Sequence, residues 1–166
     1  MGQADCGMNF QVRNLNVDVG RNNAGAIGLQ MPAAQRSSLQ DVRINATGGY
    51  AGVRGTPTTR AVTNLEVTGG QYGVILGLGA ENLVNVTLRN QTVAALLVSG
   101  TAPSTVTGFL IEKAAAPAII VNGAYSYYGA QFNQLALYEG VIKLGAASGP
   151  AIQNPVVTGL YARSVY

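Results

Sequence analysis

A spaced group of three apolar residues recurs along the chain, and it constrains the fold more than any other feature of the sequence. Each copy has the form apolar-x-x-apolar-x-apolar, and successive copies begin about 24 residues apart. A period of this length is typical of solenoids, in which each repeat forms one coil stacked on the next. The predicted copies are Val12/Leu15/Val17, Leu39/Val42/Ile44, Val62/Leu65/Val67, Leu83/Val86/Leu88, Val106/Phe109/Ile111, Phe132/Leu135/Leu137 and the weaker Val157/Leu160/Ala162.

The residue just before the middle apolar position is Asn, Asp or Gly in most copies. These residue types adopt a left-handed backbone at low cost, so the pattern predicts a sharp bend inside each triplet. Stacking of equivalent coils would then place the Asn side chains in a ladder. The predicted bend residues are Asn14, Asp41, Asn64, Asn85, Gly108, Gln134 and Gly159.

A second apolar segment of strand length follows each triplet and usually begins at Gly or another small residue, as in 72–77 and 117–123. No ten-residue stretch has a period near 3.6, so the sequence predicts no helices. A leucine-rich repeat shares the apolar spacing. In a leucine-rich repeat, Asn or Cys falls three positions after the last apolar residue, where this chain has Gly20, Thr47 and Gly70. The position of Asn therefore favours a β-helix over a leucine-rich repeat.

These patterns predict an all-β chain that folds as a single-stranded, right-handed parallel β-helix of about seven coils, with three short strands per coil. We expect residues 1–166 to form one domain, either alone or as one lobe of a larger β-helix.

Composition limits the chemistry that the chain can perform. It contains no His, which excludes Ser-His-Asp and Cys-His mechanisms, and its single Cys6 can form neither an internal disulfide nor a Cys-rich zinc site. We therefore expect no metal and no cofactor. The 10 Lys and Arg residues are scattered among 7 acidic ones, which argues against nucleic-acid binding. The apolar runs are too short for a membrane span, and the N-terminal residues lack the pattern of a signal peptide.

The segments FQVRNLNVDVGRNNAGAIGLQ (10–30) and NVTLRNQTVAALLVSG (85–100) resemble coils of the pectate-lyase-like, right-handed parallel β-helix superfamily. They are most similar to bacterial and fungal proteins related to exo-β-1,3-glucanases, and the resemblance covers about residues 8–166. It implies a carbohydrate-active lineage and an extracellular or cell-surface location. The paired Asp residues of polygalacturonase-like members have no counterpart here at the corresponding stretches, such as 48–50 and 69–71.

Charged residues of opposite sign fall at equivalent outward positions of neighbouring coils. Stacking predicts Arg43 beside Glu66 and Arg89 beside Glu112, which favours cross-strand surface pairs; the alternative is a polar face that contacts sugars. Glycoside hydrolysis needs two carboxylates roughly 5 to 9.5 Å apart, a separation that stacked coils can provide. The candidate catalytic residues are therefore Glu66, Glu112, Asp18 and Asp41.

Tyrosines are the other residues whose side chains could contact a sugar, since a ring can stack on a sugar face while the phenol makes hydrogen bonds. The alternative is that they cover apolar surface in a longer loop or fill an interface. The candidate carbohydrate-binding residues are Arg43, Arg89, Tyr125, Tyr127, Tyr128 and Tyr138.

The sequence thus predicts a carbohydrate-associated β-helix domain that binds polysaccharide and is non-catalytic on its own. One alternative is a glycoside hydrolase or polysaccharide lyase acting on β-glucan or pectin-like polymers. The other is a structural module that forms a homo-oligomer through its end coils, because neither end shows a capping segment.

Overall fold

The computed structural model describes residues 9–31, 36–57, 61–77, 81–99, 103–122, 125–127, 130–132, 135–145, 149–153 and 160–166, with the backbone alone at 125–127 and 130–132. Every regular element in these ranges is a β-strand. The strands are β1 (Gln11–Asp18), β2 (Ile27–Gln30), β3 (Ser38–Asn45), β4 (Ala51–Arg54), β5 (Ala61–Thr68), β6 (Tyr72–Leu76), β7 (Glu81–Arg89), β8 (Ala94–Val98), β9 (Ser104–Ala114), β10 (Ile119–Val121), β11 (Tyr125–Tyr127), β12 (Ala130–Phe132), β13 (Leu135–Leu144), β14 (Ile152–Gln153) and β15 (Leu160–Val165).

Long and short strands alternate along the chain and separate into two parallel sheets. The seven long strands pair in the order β1-β3-β5-β7-β9-β13-β15, which we call the long sheet. The six short strands pair in the order β2-β4-β6-β8-β10-β14, and β11 and β12 form a separate antiparallel pair. The predicted all-β fold is confirmed: the chain is a parallel β-solenoid.

The coils differ in detail from the prediction. Five long–short strand pairs, β1/β2 to β9/β10, follow one another without interruption, so the number of regular coils is slightly lower than the predicted seven. Each of these coils has two strands instead of three, because the long sheet continues across the bend: β5 pairs with β3 on both sides of Asn64. The right-handed winding and the pairing of end coils with another copy stay predictions.

The predicted bends are present in the first five coils. Asn14, Asp41, Asn64, Asn85 and Gly108 all have φ between 53° and 62°, in the left-handed region. In a straight strand, residues three apart would point to opposite faces. The bend instead allows all three apolar residues of a triplet to point inward, and in the third copy (Val62/Leu65/Val67) none is more than 1% exposed.

The predicted sixth triplet is wrong by five residues. The structure pairs Val106 with Leu137, Phe109 with Gly140 and Ile111 with Ile142, so the sixth triplet begins at Leu137 and not at Phe132. Position 140 holds Gly instead of an apolar residue, because the ring of Phe109 occupies the space that a side chain there would need. Val106 and Leu137 lie 31 positions apart, and the additional length contains β11 and β12.

The same shift carries into the last coil. Leu137 pairs with Ala162 and Gly140 pairs with Val165, so the seventh triplet also lies five residues later than predicted. The bends of these two coils fall at Glu139 (φ 52°) and Ser164 (φ 53°), instead of at Gln134 and Gly159. Gln134 and Gly159 themselves lie outside the described residues.

The core lies between the two sheets and is formed by the triplets of the long strands and the apolar residues of the short ones. Glycines on β2, β4 and β6 allow the sheets to approach, because a Cβ at Gly28, Gly52 or Gly73 would overlap side-chain or backbone atoms. This close approach explains the small residues within the second apolar segments. The largest fully buried apolar side chains are Leu39, Leu65, Leu76, Leu83, Ile111, Ile119, Leu135 and Leu137.

Among the described residues, no helix is long and apolar enough to cross a membrane.

Candidate functional site

Two adjoining cavities lie on the outer surface of the long sheet, across β1, β3, β5 and β7. Their volumes are about 420 Å³ and 660 Å³, and they share Asn16, Arg43 and Glu66, so we treat them together as the groove. The remaining residues that line the groove are Asn14, Val17, Asp18, Asp41, Ile44, Asn45, Asn64, Leu65, Thr68, Asn85 and Thr87.

One side of the groove is formed by the predicted ladder of bend residues. The amide of Asn64 donates through Nδ2 to Oδ1 of Asp41 at 2.7 Å, and Nδ2 of Asn85 donates to Oδ1 of Asn64 at 2.7 Å. The next bend residue is Gly108, which has no side chain to continue the ladder. Each bond joins neighbouring coils, so the ladder holds these amides in fixed orientations and confirms the stacking that the sequence predicts.

A chain of ion pairs crosses the outer face of the long sheet. The register places Arg43 beside Glu66 and Arg89 beside Glu112, as predicted. Arg43 Nε lies 3.4 Å from Glu66 Oε2, and Arg89 Nε lies 2.9 Å from Glu112 Oε2. Arg89 Nη1 also contacts Glu66 diagonally, which joins the two pairs. The last member, Lys143, lies 3.8 Å from Glu112 Oε1; it was not predicted, because the sixth triplet begins five residues later than the pattern indicated.

The far end of the groove is organised by Asp18. Its Oδ1 accepts a hydrogen bond from the Gly20 N–H at 2.8 Å, and its Oδ2 accepts one from Asn45 Nδ2 at 3.0 Å. These donors, chiefly the Gly20 N–H and then the Asn45 amide, lower the pKa of Asp18. Asn45 in turn accepts hydrogen bonds from the N–H and hydroxyl of Thr47. Asp18 is thus held as an anion next to a fixed amide.

The four candidate catalytic carboxylates are each engaged by donors. Asp41 accepts from Asn64, and Glu66 lies between Arg43 and Arg89. The hydrogen bond from Arg89 lowers the pKa of Glu112 and raises the pKa of Arg89. A glycosidase acid needs a raised pKa to carry its proton near neutral pH, and the pKa values of Asp18 and Glu112 move the opposite way. Neither residue therefore supplies a protonated acid.

Glu66 of β5 and Glu112 of β9 are separated by the intervening strand β7, and Arg89 of β7 bonds to both carboxylates. Within the described ranges, no group of three or more His, Cys, Asp or Glu residues could hold a metal ion.

Among the candidate tyrosines, Tyr138 has a described side chain, and it does not line the groove. The Tyr138 ring packs against Tyr161 with centroids 5.6 Å apart at 49°, on β13 and β15 at the opposite end of the long sheet. Tyr125 and Tyr127 lie in β11, where the backbone alone is described, and Tyr128 lies outside the described residues.

A second aromatic pair was not predicted. The rings of Tyr50 and Tyr72 make an edge-to-face contact, with centroids 5.4 Å apart. Tyr50 lies just before β4, and Tyr72 is the first residue of β6. They are the first residues of the second apolar segments in successive coils, and this shared position was the signal that the sequence offered.

Four groove residues keep their side chains free of hydrogen bonds within the described part of the chain. They are Asn14 and Asn16 of β1, which are exposed, and the half-buried Thr68 of β5 and Thr87 of β7. None of the four was predicted as a binding residue, although all four occupy bend or outward positions of the repeat. They can donate to or accept from a ligand without breaking a bond within the protein.

No protein-family model, curated protein or solved structure matches this chain.

The lowered pKa of Glu112 leads to a prediction about acid stability. A carboxylate with a lower pKa in the folded state stabilises the protein above its unfolded pKa, and this contribution is lost as the pH falls through the folded value. We expect the thermal unfolding midpoint of Glu112→Gln to lie below that of the wild type at about pH 6, and we expect the difference to shrink as the pH falls below the usual glutamate pKa of about 4.3. Circular dichroism melts across this range provide the measurement.

The matched control is Glu139→Gln, since the exposed Glu139 side chain has no ion pair or hydrogen bond to another described residue. Its midpoint should follow the wild type at every pH. Because the Glu112 side chain is 29% exposed, salt should also reduce the difference between wild type and Glu112→Gln. A difference that is constant with pH would contradict the argument.

Proposed function

We propose that this protein binds polysaccharide in the groove and that it acts as a non-catalytic carbohydrate-binding domain. The observation that carries the proposal is the combination of fixed and free polar groups across four adjacent strands. The Asn ladder, the ion-pair chain and the Asp18–Asn45 bond hold their members in place. Asn14, Asn16 and Thr87 are left available for a ligand.

The chemistry of these groups suits a ligand that is rich in hydroxyls. Amide and hydroxyl side chains both donate and accept, and a carboxylate that already holds one donor has further lone pairs to accept a sugar hydroxyl. A preorganised site also binds more tightly, because fewer side chains lose freedom when the ligand arrives. The cavity volumes, about 420 Å³ and 660 Å³, lie within the usual range of ligand sites.

We also propose that the chain is related to the pectate-lyase-like β-helix superfamily, and within it to the group of exo-β-1,3-glucanase-related proteins. The parallel two-sheet solenoid and the ladder of left-handed Asn residues support this relationship. The paired acidic residues of the polygalacturonase-like members are missing at the corresponding stretches, which favours binding over hydrolysis.

Native affinity electrophoresis in gels containing soluble β-1,3-glucan, hydroxyethyl cellulose, xylan or pectin tests the proposal. We expect at least one polymer to retard the wild-type protein. The triple variant Asn14→Ala/Asn16→Ala/Thr87→Ala should bind that polymer at least about tenfold more weakly, since each of the three lost hydrogen bonds contributes about 0.5 kcal/mol or more.

The matched control carries Gln40→Ala, Thr63→Ala and Asn82→Ala, which change outward residues of β3, β5 and β7 on the other side of the bend. It should bind like the wild type. Equal weakening of both triple variants, or no retardation by any polymer, would contradict the proposal. Release of reducing ends by the wild type, with loss in Glu66→Gln, would instead support the hydrolase alternative.

A further inference from the structure

Arg43 and Glu66 occupy the place where the two cavities of the groove meet. Together with Asn16 they are the residues common to both cavities. The Arg43 side chain is 75% exposed, and its Nε lies 3.4 Å from Glu66, a longer separation than the 2.9 Å between Arg89 and Glu112. Arg43 is therefore the accessible and more weakly held partner of this ion pair.

Glu66 does not depend on Arg43 for a partner. Arg89 contacts Glu66 through Nη1 and Glu112 through Nε, so one guanidinium bonds both carboxylates of the chain. With Lys143 included, the ion-pair chain contains three cations and two anions. Arg43 can consequently turn away from Glu66 without leaving a carboxylate unpaired.

The other two carboxylates of the groove have their own donors and do not require Arg43. Asp41 accepts from the Asn64 amide, and Asp18 accepts from the Gly20 N–H and the Asn45 amide. Among the described residues that line the groove, Arg43 is the single cation. Its guanidinium has donors arranged to bind a carboxylate through two parallel hydrogen bonds.

We infer that Arg43 binds an acidic substituent of the ligand, and that the ligand is a mainly neutral glycan with isolated carboxylate groups. This inference rests on the proposed polysaccharide binding. The carboxylates must be sparse, because Asp18, Asp41 and Glu66 line the same groove and would repel a chain that is charged at every sugar. Arg43 is thus the specificity-determining residue, and Arg89 is a positioning residue that keeps it available.

Affinity electrophoresis with chemically matched polymers tests this inference. The probes are β-1,3-glucan and cellulose, each in three forms. The neutral form is unmodified or a hydroxyethyl ether, the second form is carboxymethylated at low density, and the third is densely sulfated. We expect the wild type to bind the sparsely carboxymethylated polymer about three- to fivefold more tightly than its neutral counterpart, the gain of one partly exposed ion pair. The densely sulfated polymer should bind more weakly than the carboxymethylated one, and about 0.5 M salt should remove the preference.

Two arginine variants identify the residue responsible. Arg43→Gln should bind carboxymethylated and neutral polymers equally, while Arg163→Gln, which changes an exposed arginine of β15 beside Tyr138, should keep the wild-type preference. Thermal melts of both variants establish that they fold. A preference that persists in Arg43→Gln, or equal binding of both polymers by the wild type, would overturn the inference while leaving the proposed function intact. Failure of every polymer to bind would overturn both.

Arg89→Gln provides a separate readout of the positioning role. Without Arg89, Glu66 keeps Arg43 as its ion-pair partner, so Arg43 should become less available to the ligand. We expect the preference for the carboxymethylated polymer to fall in Arg89→Gln although Arg89 does not line the groove. An unchanged preference would contradict the role of Arg89.

Discussion

Replacement of Gly52 by Ala is expected to lower the free energy of unfolding by about 3 kcal/mol. Gly52 is buried on β4, and a Cβ there would lie 2.9 Å from Val67 Cγ2 and 2.8 Å from the Gly73 carbonyl oxygen, with Val67 Cγ1 closer still. The backbone of the neighbouring coil cannot move away without disturbing the backbone hydrogen bonds of the short sheet. Urea unfolding followed by circular dichroism measures the change.

Gly25→Ala is the matched control, because a Cβ at the exposed Gly25 meets no atom within 4 Å. Its free energy of unfolding should stay within about 0.5 kcal/mol of the wild type. Similar stabilities for the Gly52 and Gly25 variants would show that the two sheets are not held as closely as the structure has them.

A comparable loss, about 3 kcal/mol, is expected when the buried carboxylate of Glu81 is removed in Glu81→Ala. Glu81 begins β7 and is fully buried. Its Oε1 accepts from the Thr56 N–H and its Oε2 from the Gly77 N–H, both at 2.9 Å. These amides follow β4 and β6, so one side chain joins the ends of two short strands to the next long strand, and its loss leaves both amides unpaired.

Two further variants separate the hydrogen bonds from the general effect of substitution. Glu81→Gln keeps one carbonyl acceptor and should lose about half as much stability as Glu81→Ala. Asn82→Ala changes the exposed neighbour and should leave the free energy of unfolding nearly unchanged. Equal stability of Glu81→Ala and Asn82→Ala in urea would contradict the role assigned to the carboxylate.

Much of the site could be predicted wherever the repeat is regular. The left-handed bends at Asn14, Asp41, Asn64 and Asn85 followed from residue type, and the alignment of Arg43 with Glu66 followed from counting one coil along the chain. Both depend on local backbone preferences and on a constant register, which the chain itself displays.

The unpredicted members of the ion-pair chain depend on packing between coils that the apolar pattern does not show. Lys143 joins the ion-pair chain only because β13 pairs five residues later than the pattern suggested. Arg89 reaches Glu66 diagonally, and a diagonal contact is set by side-chain orientation and not by the register. The groove likewise forms only where the outer faces of four adjacent strands, β1, β3, β5 and β7, lie side by side.

The sequence by itself determined the solenoid, its parallel strands and the position of each early bend, because Asn, Gly and apolar spacing act within one coil. Only the tertiary structure decided the register of the last two coils. There Gly140 takes an apolar position because the Phe109 ring from the neighbouring coil fills its space, and the two residues lie 31 positions apart. The tertiary structure also decided the diagonal contact between Arg89 and Glu66 and the pairing of Lys143 with Glu112, since both depend on packing between coils.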